Sequence, residues 1–316
     1  MSIEKLLPEV QKNILLKKCT TFKIGGPAKY FFTAKTKKDL VKAIKAAKRF
    51  KLPFFVLGKG SNVLFSDKGY SGLVVKIENC KLKIENCKLY TEAGAELEDL
   101  VNYSARASLA GLEWAAGVPG TIGGAVYGNT QAFGMKIADI VKSIEVFDVK
   151  SLKIKNLSKK QCRFFTKNSI FKKDKNLIIL SAILKLGKGN KKEIQKKVKE
   201  HLNYRKKNHP LSFPSAGSVF LNKEIRVKNK KLLKEFPELK EFDKWGTIPS
   251  AYLIEKCGLK GKKIGAAKIS EKQANFIVNL GKAKAEDVKA LIKLAKQKVK
   301  KKFGVSLEEE IQLIGG

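Results

Sequence analysis

The sequence predicts a mixed α+β chain of two or three domains, and three observations carry that expectation. Apolar residues recur at helical spacing in several windows, as in Val288, Leu291, Ile292, Ala295 and Val299, with lysines on the opposite face. Short, strand-like apolar runs are interleaved with these windows. The 316 residues, 43% hydrophobic and 30% charged, can bury a large core.

In chain order, Thr36 and Asp39 form a capping-box pattern ahead of Leu40, Val41, Ala43, Ile44 and Ala47, so a helix is expected there, ended before Pro53. Phe54–Leu57 reads as a short buried strand. Further strands are expected at Gly72–Ile77, Leu82–Ile84, Leu89–Glu92, Ile144–Val149 and Leu177–Leu186. Helices are expected at Leu97–Leu109, Ile194–Leu202 and Val288–Val299. The unit KIENCKL occurs in tandem at 76–82 and 83–89. Two short copies make no solenoid and read as a local duplication around a strand turn. The lysine-dense segment 187–197, GKGNKKEIQKK, is the expected boundary between an N-terminal and a C-terminal domain.

Composition excludes several classes. The net charge is +37, from 66 Lys+Arg against 29 Asp+Glu. Arginine, the better fork for phosphates and base edges, stands only at 49, 106, 163, 205 and 226, and the lysines spread over nearly every expected helix. A solvated lysine coat is therefore expected, with no nucleic-acid partner. The start MSIEKLLPEVQKNILL carries Glu4, Pro8 and Glu9, and no apolar run suits a membrane span. The expected setting is cytoplasmic, without membrane insertion. Five cysteines contain no CxxC, and His201 and His209 are the only histidines. No metal site is expected, and His201 reads as a helix-surface residue.

Two glycine-rich segments point to a ligand. Gly58-Lys-Gly60-Ser-Asn62 follows the strand FFVL, where backbone N–H groups can approach a phosphate. Val63 stands where a Rossmann fingerprint needs a third glycine, and no helix pattern follows. The segment 111–129 holds six glycines in an apolar stretch, which means either tight packing between elements or a backbone lying against something bulky. Together the two suggest a many-phosphate or dinucleotide ligand.

CTTFKIGGPAKYF (19–31), LGKGSN (57–62), AGVPGTIGGAVYGN (116–129), PSAGSVF (214–220), AYLIEKCGLKG (251–261), ISEKQANFIVN (269–279) and LEEEIQLIG (307–315) stand in an order that resembles the UDP-N-acetylenolpyruvoylglucosamine reductases, over about residues 14–316. The resemblance, to the shorter type of that family, implies a fold and a reaction. The fold is an FAD-binding domain of the PCMH/vanillyl-alcohol-oxidase type over 1–190, with subdomains of about 1–75 and 76–190. A smaller α+β substrate-binding domain over 191–316 follows, its C-terminal strand (about 305–316) returning to the active site. The reaction takes hydride from NADPH through FAD to the β-carbon of UDP-N-acetylglucosamine enolpyruvate, giving UDP-N-acetylmuramate for peptidoglycan. FAD would be held by Leu57, Gly58, Lys59, Gly60, Ser61 and Asn62, with Gly117, Val118, Pro119, Gly120, Thr121, Gly123, Gly124 and Asn129. Tyr204, Arg205, Lys272 and Asn275 would approach the uridine diphosphate.

Hydride addition drives negative charge into the substrate carboxylate, so the site needs a cation or hydrogen-bond donor there and a proton donor at the α-carbon. Ser218 in PSAGSVF matches the family's proton donor, and Glu310, directly before Ile311, matches its catalytic glutamate. Strand alternation would put Glu308 and Glu310 on one face and Glu309 on the other. The family's FGYRxSxFK reads here Phe164-Phe165-Thr166-Lys167-Asn168-Ser169-Ile170-Phe171-Lys172, so Lys167 replaces the polarising arginine and Thr166 the tyrosine. Lysine keeps the charge and loses the two-pronged fork. On a strand, Arg163 would share a face with Lys167 as an alternative cation. Leu221-Asn222-Lys223 and Gln273 are further departures from the family pattern.

Overall fold

Thr36 starts the first long helix as its pattern demands. The Thr36 hydroxyl accepts from the Asp39 N–H, and the Asp39 carboxylate accepts from the Thr36 N–H. The helix runs Lys37–Arg49 and buries Leu40, Ala43, Ile44, Ala46 and Ala47. The computed structural model describes residues 2–223 and 230–315; Arg226 and the terminal Gly316 lie outside the described residues. The chain forms two compact units, Met1–Ile14, Pro27–Gly60 and Tyr70–Lys207 in the first, Leu15–Gly26, Ser61–Gly69 and Asn208–Gly316 in the second.

In the first unit, strands Gln11–Leu15, Pro27–Ala34, Tyr70–Ile77 and Phe54–Leu57 lie side by side in that order, the last three parallel. Tyr70–Ile77 runs between two parallel neighbours, and its Leu73, Val74 and Val75 are fully buried. Gly72 is required by close approach: a Cβ there would stand 1.9 Å from the Pro53 carbonyl oxygen. A second sheet is antiparallel, in the order Lys153–Ser158, Val141–Asp148, Leu177–Lys185, Lys88–Glu92, Leu82–Glu85. The edge strand Lys153–Ser158 escapes the sequence reading because KIKNLS is exposed almost throughout and shows no alternation. Lysines on such an edge discourage further pairing.

The tandem KIENCKL copies adopt different structures. In the second, Asn86 (φ 47°) and Cys87 (φ 59°) make the two-residue turn that joins Leu82–Glu85 to Lys88–Glu92, with Glu85 opposite Lys88. In the first, Asn79 is buried, pressed against Gly94. Tertiary surroundings decide between them. The helix Leu97–Arg106 stops short of Leu109 because Ser108 turns left-handed (φ 55°) and Leu109–Ala110 pairs with Gly187–Lys188.

The helix Lys191–Asn208 exceeds its expected span at both ends, its lysine-rich flanks hiding the period. It belongs to the first unit through Lys207, so the segment 187–197 lies within that unit. The reason is burial of Ile194 and Arg205 along one narrow stripe of the helix.

The second unit carries the antiparallel order Ser215–Ser218, Phe276–Asn279, Ala267–Ile269, Lys263–Ile264, and a parallel pair, Val63–Phe65 with Gln312–Ile314. The helix Ala285–Phe303 buries Val288, Leu291, Ile292, Ala295 and Val299 and closes on Gly304 (φ 72°). Its first N–H groups, at Ala285 and Glu286, donate to the distant Asp67 carboxylate. The early segment Leu15–Gly26 joins this unit through buried Phe22 and Ile24, and Asn279 Nδ2 donates to the Phe22 carbonyl at 3.0 Å. Among the described residues no helix is long and apolar enough to cross a membrane.

Candidate active site

The two glycine segments meet in the first unit. Leu57 ends its strand buried, and a Cβ on Gly58 would stand 2.5 Å from Thr121 Oγ1. Gly60 (φ 69°) turns the chain out of the unit, and Lys59 is ion-paired with Glu96. Glu96 in turn bridges Thr121, so strand end, helix start and second segment are laced together. Ser61 and Asn62 belong to the second unit, where the Asn62 carbonyl accepts from the Gln312 N–H.

In the second segment, Gly117 (φ 69°) and Gly120 (φ 148°) are conformationally required. Thr121 caps a short helix, Ile122–Gly128, that the density of glycines concealed from sequence reading. The first N–H groups of that helix are engaged by protein: Ile122 to Ala95 O, Gly123 to Ala93 O, and Gly124 to Thr121 Oγ1. Gly58 and Gly123 thus serve close packing, against Thr121 and Ala93. Gly117, Pro119 and Gly124 mark the exposed side of the segment, with Val118 half-buried.

Asn129 differs from its expected role. It ends the helix at φ 44° and is buried, its Nδ2 donating to Phe165 O at 2.7 Å and its Oδ1 accepting from Ala138 N at 3.2 Å. Both ends of the carboxamide are engaged by protein, which makes Asn129 a positioning residue. Its location after a glycine at a helix end is the signal that could have shown this. The turn it holds is the one bearing Lys167. Phe165 and Asn168 exchange both backbone hydrogen bonds, and Lys167 occupies the turn between them at φ 53°. Lys172 Nζ donates to the Lys167 carbonyl at 2.7 Å, and Ser169 Oγ to Tyr127 O at 2.7 Å. The segment is no strand, and Arg163 is itself left-handed (φ 44°), so alternation does not relate Arg163 to Lys167.

In the second unit, Ser218 ends its strand opposite Phe276, after an irregularity at which Gly217 takes φ 77°. The C-terminal segment runs alongside: Leu221 N donates to Glu308 O, Phe220 bridges Glu309, and Glu310 N donates to Val219 O at 2.7 Å. That register separates the three glutamates. Glu308 pairs with Lys223 at 2.6 Å, and that lysine holds its carboxyl below the ordinary value. Glu309 receives Lys296 on both oxygens, at 2.9 and 3.1 Å. Glu310 is the one whose backbone sits against the residue following Ser218, and Asn62 Nδ2 donates to its carbonyl at 3.2 Å.

The four expected uridine-diphosphate contacts divide. Tyr204 is 53% exposed and Lys272 exposed. Asn275 is only 5% exposed, with Nδ2 donating to Phe220 O at 2.8 Å and Oδ1 accepting from Phe220 N at 2.9 Å. It holds the Ser218 segment in place. Asn275→Ala should cost about 2 kcal/mol in urea unfolding, since two buried backbone groups lose their partners. Unchanged stability with weakened substrate binding would return Asn275 to the substrate. Arg205 is buried beside Gly117: its Nε donates to Ala116 O at 2.8 Å and its Nη2 is buried without a partner. Burial pushes the guanidinium pKa down.

Exposed backbone at Gly117, Pro119 and Gly124 beside a buried, incompletely partnered guanidinium suits a phosphate-bearing ligand, and the family matches define the class as an FAD-binding oxidoreductase. Residues 28–155 match the family model described as FAD binding domain, and 209–314 match UDP-N-acetylenolpyruvoylglucosamine reductase, C-terminal domain. A UDP-N-acetylenolpyruvoylglucosamine reductase of Caldicellulosiruptor bescii is 41% identical over 97% of this chain and 91% of that protein. One from Caldanaerobacter subterraneus subsp. tengcongensis is 38% identical, over 95% and 92%. Among solved structures, the reductase MurB of Thermus caldophilus superposes with a TM-score of 0.77 at 30% identity, covering 97% of this chain and 99% of that one. The chain belongs to the UDP-N-acetylenolpyruvoylglucosamine reductase family, and FAD is its cofactor.

Proposed function

We propose that this chain reduces UDP-N-acetylglucosamine enolpyruvate to UDP-N-acetylmuramate with NADPH, as a cytoplasmic step in making peptidoglycan precursors. The observation that carries the reading is the register setting Glu310 against Val219, directly after Ser218. Bound FAD supplies the hydride relay between NADPH and substrate. Leu57 to Asn62 and the exposed side of 117–124 would hold it. Ser218 delivers a proton to the substrate α-carbon, and Glu310, as the carboxylic acid, donates a hydrogen bond to the substrate carboxyl oxygen whose charge grows as the proton is awaited. Lys167 supplies the cation for the same carboxylate. Lys272 and Tyr204 are exposed and able to meet the uridine diphosphate. The net charge of +37 creates a field that speeds encounter with these phosphorylated anions.

The test is NADPH oxidation by the purified yellow protein with and without the enolpyruvyl substrate. Oxidation that depends on that substrate, with UDP-N-acetylmuramate formed in equal amount, is the expected outcome. Bound FAD without such turnover would overturn the reading.

A further inference from the structure

Arg205 is a buried cation without a buried anion. The residue is 8% exposed, and no salt bridge to it occurs among the described residues. One donor, Nε, reaches the Ala116 carbonyl; Nη2 is buried with no acceptor. An ion removed from water in this way is costly unless a counter-charge arrives. The guanidinium is nonetheless held in place. Gly117 leaves it room, since a Cβ there would stand 2.9 Å from Arg205 Cδ. The Phe133 ring covers it at 5.2 Å, itself stacked on His201 at 3.9 Å.

The neighbouring anion-binding devices are engaged elsewhere. The N–H groups opening the helix Ile122–Gly128 donate to Ala95, Ala93 and Thr121, and Lys59 is paired with Glu96. Arg205 is a cation anchored to this segment through Ala116, placed to neutralise a diphosphate lying on it.

We infer that Arg205 is the counter-ion of the FAD pyrophosphate, not a contact of the uridine diphosphate. Through Ala116 and Gly117 it is anchored to the cofactor segment. The bound diphosphate would accept from Nη2 and neutralise the buried charge, coupling cofactor binding to the stability of this part of the first unit. The inference rests on FAD being the cofactor and is independent of the substrate reduced.

The experiment compares wild type with Arg205→Met, which keeps the apolar stem, and Arg205→Lys, which keeps the charge without the fork. FAD affinity of the stripped full-length chain is read by flavin fluorescence, and substrate affinity by the change in flavin absorbance at saturating FAD. Arg205→Met should weaken FAD about ten- to a hundredfold, the loss of one charged hydrogen-bonding partner. Riboflavin, which lacks the diphosphate, should bind both chains alike. Inorganic pyrophosphate should raise the melting temperature of stripped wild type and leave that of Arg205→Met unmoved. Unchanged FAD affinity in Arg205→Met overturns the inference, and substrate affinity falling in its place assigns Arg205 to the uridine diphosphate. Should Arg205→Met fail to fold, Arg205→Lys decides: FAD binding weakened with substrate binding intact supports the inference, and the reverse overturns it.

Discussion

Ser218→Ala leaves bleaching of the flavin band by NADPH at the parental rate and slows reduction of the enolpyruvyl substrate about 10²–10⁴-fold, the range for loss of a positioned proton donor. The substitution is mild for the fold. Ser218 is half-buried at a strand end, and its pairing to Phe276 runs through backbone that alanine keeps. Stability should change by no more than about 0.5 kcal/mol, the usual span at sites away from buried networks. Removal of Ser218 Oγ leaves Gly217 at φ 77° and the Asn275 clasp on Phe220 in place, so the surrounding backbone holds its position. Stopped-flow absorbance separates the two half-reactions. Equal slowing of both would mean a distorted cofactor site, and no slowing of the second would place the proton donor elsewhere.

Much of this arrangement was legible from sequence where one face of an element is buried. The runs at Phe54–Leu57 and Leu177–Lys185, the Thr36/Asp39 box and the stripe Val288–Val299 each carry their burial in their spacing. What escaped was decided by distant partners or by unfavourable local chemistry. Ile122–Gly128 is a helix despite three glycines because Thr121 caps it and neighbouring carbonyls take its first N–H groups. Lys153–Ser158 is a strand because Val141–Asp148 offers it a ladder, not because its residues alternate. Arg205 reads from its place in the family motif as a contact of the uridine diphosphate, while the partners that hold it, Ala116 and Gly117, lie far away in sequence. Asn275 and Asn129 lie in family-like motifs, which suggested ligand contacts; the structure binds their carboxamides to backbone groups. Motif position marks where a site is, while hydrogen-bond partners decide which of its residues touch the ligand.

Lys167→Ala should slow the enolpyruvyl half-reaction about 10²-fold, the lower end of the loss when one group stabilising transition-state charge is removed. Lys167→Arg should recover it to within about tenfold of the parent, since the family fork regains both charge and two-pronged geometry. The backbone allows a control that separates chemistry from folding. Lys167 holds φ 53°, a left-handed conformation costing roughly 1–2 kcal/mol for any residue with a Cβ. Lysine and alanine bear that cost alike, and glycine does not. Lys167→Gly should therefore be at least as stable as the parent in thermal unfolding while being as slow as Lys167→Ala. The turn itself survives both changes, because Asn129 holds the Phe165 carbonyl and Lys172 holds the carbonyl of residue 167, neither bond using the Lys167 side chain. Parental rates in both the alanine and glycine variants would remove Lys167 from the reaction. The exposed Arg163, left-handed at φ 44° in the same run of turns, would then be the cation to replace next.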